Sequence, residues 1–292
     1  MPNIRVVLLC AIVFLAALLS WRWWRSIDRA SGEPLWPTPV QLLIGFLVNF
    51  FDTLGIGSLA TTTATFKGLR MVPDERLPAT MLVGLALPVA VQALIFISAI
   101  QIDPMLLLLM IVTALVGGWL GAGIVSRLPR RPIQLGMGSA LLLAALFMTV
   151  VQLNRMPVGG TALSLGGSAL WLALGVNLIL GALLMLGIGN YGPTFVLLSA
   201  LGMDPRAAFP IMMGSGAFAA MLGCMAFVRR RRVVNQPALG LTIGGIPGVL
   251  VAALLVTSLP IGLLRWLVIA VVVYAAISMV RSAIQGEPPV AP

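Results

Sequence analysis

The chain has 292 residues, of which 60% are hydrophobic and 9% charged, and its mean hydropathy is +1.09. This composition excludes an ordinary soluble domain and indicates a multi-span membrane protein. The net charge of +10 comes from basic residues between apolar runs, so it indicates orientation signals and contacts with membrane lipids, and no nucleic-acid partner. Histidine is absent and neither cysteine belongs to a Cys-x-x-Cys pair, which argues against an enzyme, a metal site and a bound cofactor.

Seven uncharged runs approach the ~20 residues that an α-helix needs to cross a bilayer. They are 6–21, 79–102, 104–126, 133–154, 207–228, 233–257 and 266–280. Tryptophans and arginines follow the first run without a small-residue cleavage site. We therefore interpret residues 1–37 as a retained transmembrane anchor followed by a cytosolic linker.

Two further runs, 38–66 and 168–203, are too long for one upright span, and Leu-Gly-Ile-Gly interrupts each of them. The pieces on either side of the breaks have ~10–16 residues, which suits helices that reach only part of the way across a membrane. If both runs return to the face from which they enter, fourteen of the eighteen Lys and Arg residues lie on the cytosolic face. The sequence therefore predicts two re-entrant hairpins in a bacterial-type inner membrane, with the N-terminus outside and the C-terminus cytosolic.

The two interrupted runs belong to an internal repeat. A shift of 132 positions aligns 54–84 with 186–216 without a gap and gives eleven identities in thirty-one positions. Each half has one hairpin and three spans, so the halves are inverted in the membrane. The predicted fold is an all-α polytopic membrane protein, an inverted repeat with an extra N-terminal helix. The first repeat covers 38–154, the external linker 155–167, the second repeat 168–283 and the tail 284–292.

Small residues occur in pairs in both halves, as Gly117-Gly118-x-x-Gly121 and Gly244-Gly245-x-x-Gly248. Such stretches let membrane helices approach closely, and we interpret them as packing sites.

A helix that starts at a break in mid-membrane directs unpaired N–H groups and the positive end of its dipole into the gap, which favours an anion. The breaks are followed by neutral donors and contain no basic residue. The predicted substrate-binding residues are Gly57, Ser58, Thr61, Thr62, Gly189, Asn190, Tyr191 and Thr194, with Ser215 in the next span. The two gaps are expected to meet near the midplane and to form one site.

The apolar run that contains the first break has one charged residue, Asp52. Three roles stay open for it: a cap for the N–H groups of the glycine turn, a proton-linked group, and a cation ligand. Asn49 and Gln92 are expected to form hydrogen bonds between helices.

The two Gly-Ile-Gly loops are each followed about twenty residues later by a Pro-x-x-x-x-x-Gly stretch, Pro78–Gly84 and Pro210–Gly216. Over roughly 38–283 this pattern resembles the TauE/SafE sulfite exporter (TSUP) family. Family members usually have Gly-x-Gly-Gly-Gly followed by a proline, whereas this chain has Ser58 and Asn190 after its second glycines. The resemblance implies a secondary transporter that moves sulfite, sulfonates or related small anions, mostly outward. A proton-coupled importer of a small carboxylate or sulfonate and a non-transporting membrane scaffold are the alternatives.

Overall fold

The computed structural model describes residues 4–27, 34–55, 57–73, 75–124, 160–184, 191–230 and 233–285, together with scattered positions between 131 and 153. Within these ranges the protein is helical and contains no β-strand. The α-helices are α1 (Ile4–Ser26), α2 (Pro39–Thr53), α3 (Ser58–Gly68), α4 (Leu77–Ala99), α5 (Pro104–Ile124), α6 (Gly167–Leu184), α7 (Tyr191–Ala200), α8 (Ala208–Arg229), α9 (Asn235–Ser258) and α10 (Ile261–Gln285). A short 3₁₀ turn at Pro205–Ala207 leads into α8.

Four stretches of the described chain are long and apolar enough to cross a bilayer: α1, α4, α9, and Pro205–Arg229, which contains α8. Two further helices, α5 with 21 residues and α10 with 25, cover the predicted runs 104–126 and 266–280 in large part. The prediction of an all-helical membrane protein with several spans is therefore confirmed. The predicted span at 133–154 lies largely outside the described residues.

Each of the two interrupted runs forms a pair of short helices. α2 has 15 residues and α3 has 11, while α6 has 18 and α7 has 10. At ~1.5 Å per residue, α2, α3 and α7 are too short to cross ~30 Å of hydrocarbon, and α6 comes close to that length. α6 is longer than the expected ~10–16 residues, because its apolar run continues without interruption from Gly167 to Leu184. The second Leu-Gly-Ile-Gly lies outside the described residues.

The start of α2 is fixed by the sequence Thr38-Pro39-Val40-Gln41. Pro39 lies in the first turn, where a helix does not use the N–H that proline lacks. The Thr38 hydroxyl accepts the Gln41 N–H at 3.3 Å, and the Gln41 side-chain oxygen accepts the Thr38 N–H at 2.9 Å. This capping box satisfies two backbone donors and sets the residue at which the chain enters the apolar region.

The chain folds as two compact units that do not follow the two halves of the sequence. Unit 1 contains residues 1–99 and 216–257, and unit 2 contains residues 100–215 and 258–292. Unit 1 thus combines α1–α4 with most of α8 and with α9. Unit 2 combines α5–α7 with the first turns of α8 and with α10. Each predicted repeat contributes helices to both units.

One end of unit 1 gathers the end of α1 and the starts of α2, α4 and α9. Three hydrogen bonds of 3.0 Å hold these segments: Trp23 Nε1 to Asn235 Oδ1, Val234 N–H to Thr80 Oγ1, and Gln236 Nε2 to Trp36 O. An apolar cluster joins Ile44 of α2 and Leu77 of α4 to Phe66 near the end of α3. The helix pair α2–α3 therefore begins and ends at the same end of unit 1.

One end of unit 2 gathers the starts of α5, α6 and α10 and the end of α7. The hydrogen bonds are Ala162 N–H to Gly202 O (3.4 Å), Asp204 N–H to Ala162 O (3.0 Å), Asp103 N–H to Leu163 O (2.9 Å) and Arg206 Nη2 to Leu259 O (3.0 Å). The segment before α6 is thus paired with the segment after α7. The helix pair α6–α7 therefore also begins and ends at one end of its unit.

Glycines bring α9 against α2 in unit 1 and α5 against α6 in unit 2. A Cβ on Gly244 would meet the carbonyl oxygen of Leu42, and a Cβ on Gly117 would meet the carbonyl oxygen of Leu178. At both crossings the backbones are close enough that no side chain fits between them. The interpretation of the Gly-Gly-x-x-Gly stretches as packing sites is confirmed at these two glycines.

Buried polar side chains strengthen both crossings. Asn49 of α2 donates from Nδ2 to Leu241 O of α9 at 3.3 Å. Asn177 of α6 donates from Nδ2 to Met110 O of α5 at 2.5 Å. The expectation that Asn49 bonds between helices is confirmed, and Asn177 has the same role in unit 2.

A proline inside α4 is compensated by a hydroxyl from α9. Pro88 has no N–H, so the carbonyl oxygen of Gly84, one turn earlier, loses its donor within the helix. Thr242 of α9 donates from Oγ1 to that oxygen at 2.8 Å. This hydrogen bond from a neighbouring helix replaces the missing bond within α4, so the proline is tolerated in an apolar interior.

The close crossing of α5 and α6 predicts different effects for two glycines of one helix. Gly181→Ala should lower the free energy of unfolding by about 1–3 kcal/mol, because its Cβ meets the Ala114 carbonyl oxygen and forces the helices apart. Gly175→Ala is the matched control, since nothing lies within 4 Å of its Cβ. Thermal unfolding of the purified variants in detergent measures both. Equal midpoints for the two variants would contradict the crossing.

Candidate functional site

The first break is four residues long and is built on two glycines. Gly55 has a φ of +100° and Gly57 a φ of +88°, a region that favours glycine. A Cβ on Gly57 would meet no atom within 4 Å, so the position requires glycine for its backbone conformation and not for lack of space. Gly57 is the N-cap of α3 and has no side chain to bond the first N–H groups of the helix. The start of α3 therefore needs an acceptor from another residue.

Asp52, in the last turn of α2, supplies that acceptor. The residue is buried, with 1% of its surface exposed. Gln92 Nε2 of α4 donates to Asp52 Oδ2 at 3.0 Å, and the hydroxyl and backbone N–H of Ser58 also interact with the carboxylate. Asp52 thus connects the end of α2 to the start of α3 and to α4. This geometry matches the capping role, while the proton-linked role and cation binding stay predictions.

The Gln92 amide is oriented by Thr53. Thr53 donates its one hydroxyl proton to Asn49 O at 2.7 Å, so its oxygen accepts from Gln92 Nε2 at 2.9 Å. The two N–H groups of Gln92 therefore go to Thr53 and Asp52. This leaves Gln92 Oε1 buried without a hydrogen-bond partner among the described residues, and Asn49 Oδ1 is in the same state. α2 and α4 contain no lysine or arginine, so only neutral groups of these helices surround Asp52.

The threonines after the first break use their hydroxyl protons within α3. Thr61 and Thr62 both donate to Ser58 O, at 2.9 and 2.7 Å. Thr63 and Thr65 bond in the same way to carbonyl oxygens one turn earlier. A hydroxyl has one proton, so Thr61 or Thr62 donates to a ligand only after releasing this bond.

The second break is described from the start of α7 onward, and the predicted ligands Gly189 and Asn190 lie outside the described residues. Thr194, in the first turn of α7, is 1% exposed, and its hydroxyl has no hydrogen-bond partner in the described part of the chain. Ser215 of α8 is 2% exposed, and its hydroxyl is also unpartnered there. Unlike the Thr62 hydroxyl, which lies 132 positions before Thr194, these two hydroxyls have no partner among the described residues.

The helices that follow the two breaks end in the same way. The residue after the last helical turn has a positive φ, +49° at Arg70 and +80° at Gly202. The bonds of the first end are Leu69 N–H to Thr65 O (3.0 Å), Arg70 N–H to Lys67 O (3.1 Å) and Met71 N–H to Phe66 O (3.0 Å). The bonds of the second end are Leu201 N–H to Leu197 O (3.1 Å), Gly202 N–H to Ser199 O (3.1 Å) and Met203 N–H to Leu198 O (3.0 Å). Both are Schellman motifs, and every bond recurs 132 positions later.

The predicted site residues fall into two groups, one in each unit. In unit 1 the structure brings Ser58 against Asp52, and in unit 2 Tyr191 begins α7 one turn before Thr194. Thr53, which orients Gln92, was not among the residues predicted from the sequence. A single threonine in an apolar helix forms no recognisable sequence pattern. The one signal in the sequence that could have identified Thr53 is its position next to Asp52.

Short helix pairs among helices that are long and apolar enough to span a membrane are typical of membrane transporters. The chain belongs to the TauE/SafE sulfite exporter family, whose family model matches residues 2–148. This family consists of membrane transporters for sulfite-like anions, which agrees with a non-enzymatic membrane protein.

The matched residues and the motif resemblance cover different parts of the chain. The match includes α1, which lies before the resemblance at 38–283, and it ends before the second break. For the second half the similarity rests on the repeated motif and on the matching helix ends. No curated protein and no solved structure matches the chain.

The contacts of Asp52 predict that its oxygen matters more for folding than its charge. Asp52→Leu should lower the free energy of unfolding by about 1–3 kcal/mol, because one N–H of Gln92 and the Ser58 N–H would stay buried without an acceptor. Asp52→Asn should remain closer to wild type, since its amide oxygen can still accept a hydrogen bond at this position. Thermal unfolding in detergent separates the two variants, and an equal loss in both would argue against the capping geometry.

Proposed function

We propose that the protein is a secondary transporter that exports a small anion, sulfite or a related sulfur oxyanion or organosulfonate, from a bacterial-type cytosol. The substrate is bound by backbone N–H groups and hydroxyls at the helix breaks. Export needs no coupling ion, because each negative charge that leaves a cell at ~100 mV, inside negative, gains ~2.3 kcal/mol. Membership of the TauE/SafE family supports the substrate class.

The observation that carries this proposal is the burial of Ser58 and Thr194 in the first turns of α3 and α7. A helix that starts away from water presents unpaired N–H groups and the positive end of its dipole, and an anion satisfies both. Ser58 at the start of α3 is 7% exposed, and Thr194 in the first turn of α7 is 1% exposed. In each unit the short helix pair also begins and ends at one end, which supports two re-entrant hairpins and an inverted repeat.

The two helix starts differ by one charge. At α3 the carboxylate of Asp52 faces the first turn, so the protein's own anion meets the demand for negative charge. The residue 132 positions after Asp52 is Leu184, which carries no charge. We therefore assign the principal substrate contacts to the start of α7, with Thr194 and Ser215 as donors. Substrate at the start of α3 competes with Asp52.

The positions of the basic residues support an N-terminus outside and a C-terminus in the cytosol. The described segments that meet at the described end of unit 1 contain seven lysines and arginines: Arg22, Arg25, Lys67, Arg70, Arg76, Arg229 and Arg230. The described segments that meet at the described end of unit 2 contain two, Arg206 and, near the start of α10, Arg265. Basic residues concentrate on the cytosolic side of membrane proteins, which favours this orientation.

Proton-coupled import of a small carboxylate or sulfonate is the second candidate, and the setting of Asp52 favours it. A buried carboxylate surrounded by neutral groups is suited to gain and lose a proton as substrate moves. A non-transporting scaffold is a third candidate, but it gives no role to the buried hydroxyls of Thr194 and Ser215, which have no partner among the described residues.

Flux measurements in proteoliposomes test the proposal. The purified protein is screened with sulfite, thiosulfate, organosulfonates and small carboxylates at clamped voltage, with and without a pH gradient. The export proposal predicts flux that follows the voltage, needs no pH gradient and persists in Asp52→Asn. The import alternative predicts flux that follows the pH gradient and loses this dependence in Asp52→Asn. If no anion moves under any condition, both transport functions are wrong.

Two threonines 132 positions apart provide a matched test of the binding residues. Thr194→Val should weaken substrate binding roughly ten- to a hundredfold, because a hydrogen bond to a charged ligand contributes ~1.5–3 kcal/mol. Thr62→Val should have a much smaller effect, since the Thr62 hydroxyl is bonded to Ser58 O. Substrate concentration dependence of the flux measures both variants. A larger loss at Thr62 than at Thr194 would place the principal contacts at α3.

A further inference from the structure

The Schellman motifs that end α3 and α7 share their hydrogen bonds but differ in the residue at the left-handed position. Gly202 occupies it in α7, with a φ of +80°, and Arg70 occupies it in α3, with a φ of +49°. Among the described residues Arg70 is the one non-glycine residue with a positive φ. Left-handed backbone is unfavourable for a residue with a Cβ, and glycine avoids that cost. Arg70 therefore stands where glycine would fit the backbone better.

Stabilisation of the helix end does not explain this arginine. A basic residue near the C-terminus of a helix interacts favourably with the helix dipole. Lys67, in the last turn of α3, already provides this interaction from a helical position. The left-handed position adds backbone strain without adding to the effect.

The two basic residues line one cavity. Lys67, Arg70, Val72 and Pro73 line this cavity, which has a volume of about 430 Å³ and is widely open to the surface at the end of α3. The Schellman turn brings Arg70 round to the same cavity as Lys67, which lies three positions earlier. The positions that correspond to Lys67 and Arg70 in the second helix are Ser199 and Gly202, which carry no charge. The charged cavity is therefore a feature of the first copy that the corresponding positions of the second copy do not repeat.

We propose that Lys67 and Arg70 form a capture site for small oxyanions, which holds the substrate before it reaches the helix breaks. The inference rests on the proposed export function, in which this end of unit 1 faces the cytosol. A guanidinium binds two oxygens of a sulfite-, sulfonate- or phosphate-like group at once, and the lysine adds a second positive charge. The two charges raise the local concentration of anions at this mouth.

The test uses the full-length protein in vesicles of neutral phosphatidylcholine, with sulfite as the probe. Arg70→Gly removes the charge and the strain together, and Arg70→Lys keeps the charge. Arg229→Gln is the matched control, because it removes an exposed basic residue that is not among those lining the cavity. For each variant we measure thermal unfolding with and without sulfite, and the initial flux against the sulfite concentration on the cytosolic side.

The capture site predicts that Arg70→Gly unfolds at or above the wild-type temperature and raises the KM for sulfite roughly tenfold with kcat unchanged. Arg70→Lys should lie between this variant and wild type, and Arg229→Gln should match wild type. A KM for Arg70→Gly no higher than that for Arg229→Gln would overturn the inference. A fall in kcat with KM unchanged would also overturn it.

Binding and transport are separated by the unfolding measurement. If the wild-type protein moves no anion, the proposed function fails, but the capture site is still tested by the rise in unfolding temperature that sulfite produces. Loss of this rise in Arg70→Gly supports the site, and an equal rise in both proteins overturns it. A repeat with phosphatidylglycerol and no sulfite identifies a lipid headgroup as the ligand. An Arg70-dependent rise found only with that lipid would overturn capture of a free anion.

Discussion

An apolar membrane interior supplies no water to backbone groups, so every N–H or carbonyl that a broken or kinked helix leaves open needs a partner from the protein or from a ligand. This constraint organises the described parts of the molecule. At the kink in α4 the partner is the Thr242 hydroxyl, and at the start of α3 it is the Asp52 carboxylate. Gln92 and Thr53 in turn hold that carboxylate in place. The Thr194 hydroxyl, in the first turn of α7, has no partner among the described residues. In our proposal a substrate anion meets the same need there.

The sequence predicted the features that depend on local patterns. Apolar length located α1, α4 and α9, because a span is recognised from its own residues. The repeated Leu-Gly-Ile-Gly located the breaks and led to the family. The partner of each helix was not predictable in this way. Gly244 indicates that another helix can pack closely at this position, but only the structure shows that this helix is α2.

Residues of one type at corresponding positions also differ in ways that a sequence does not reveal. Thr62 and Thr194 are related by the internal repeat, yet one hydroxyl proton is bonded within its helix and the other is unpartnered among the described residues. The difference between Arg70 and Gly202 is visible in the sequence, but its meaning depends on the sign of φ at both positions. The two copies keep the same helix ends and differ in the chemistry placed at those ends. Corresponding residues therefore share a backbone conformation at these helix ends, and the differences between the copies decide where the substrate is bound in our proposal.

The division of the chain into units has a consequence for how the protein is made. Unit 1 contains residues 1–99 and 216–257. Helices α1–α4 are therefore synthesised well before α9, against which they pack in the finished unit. Asn49 bonds a carbonyl of α9 that lies 192 positions further along the chain. At a translation rate of ~5–20 residues per second, that partner arrives roughly 10–40 s after Asn49. During this interval the polar groups of α2 lack their final neighbours, and the insertion machinery or other early helices must shelter them from lipid.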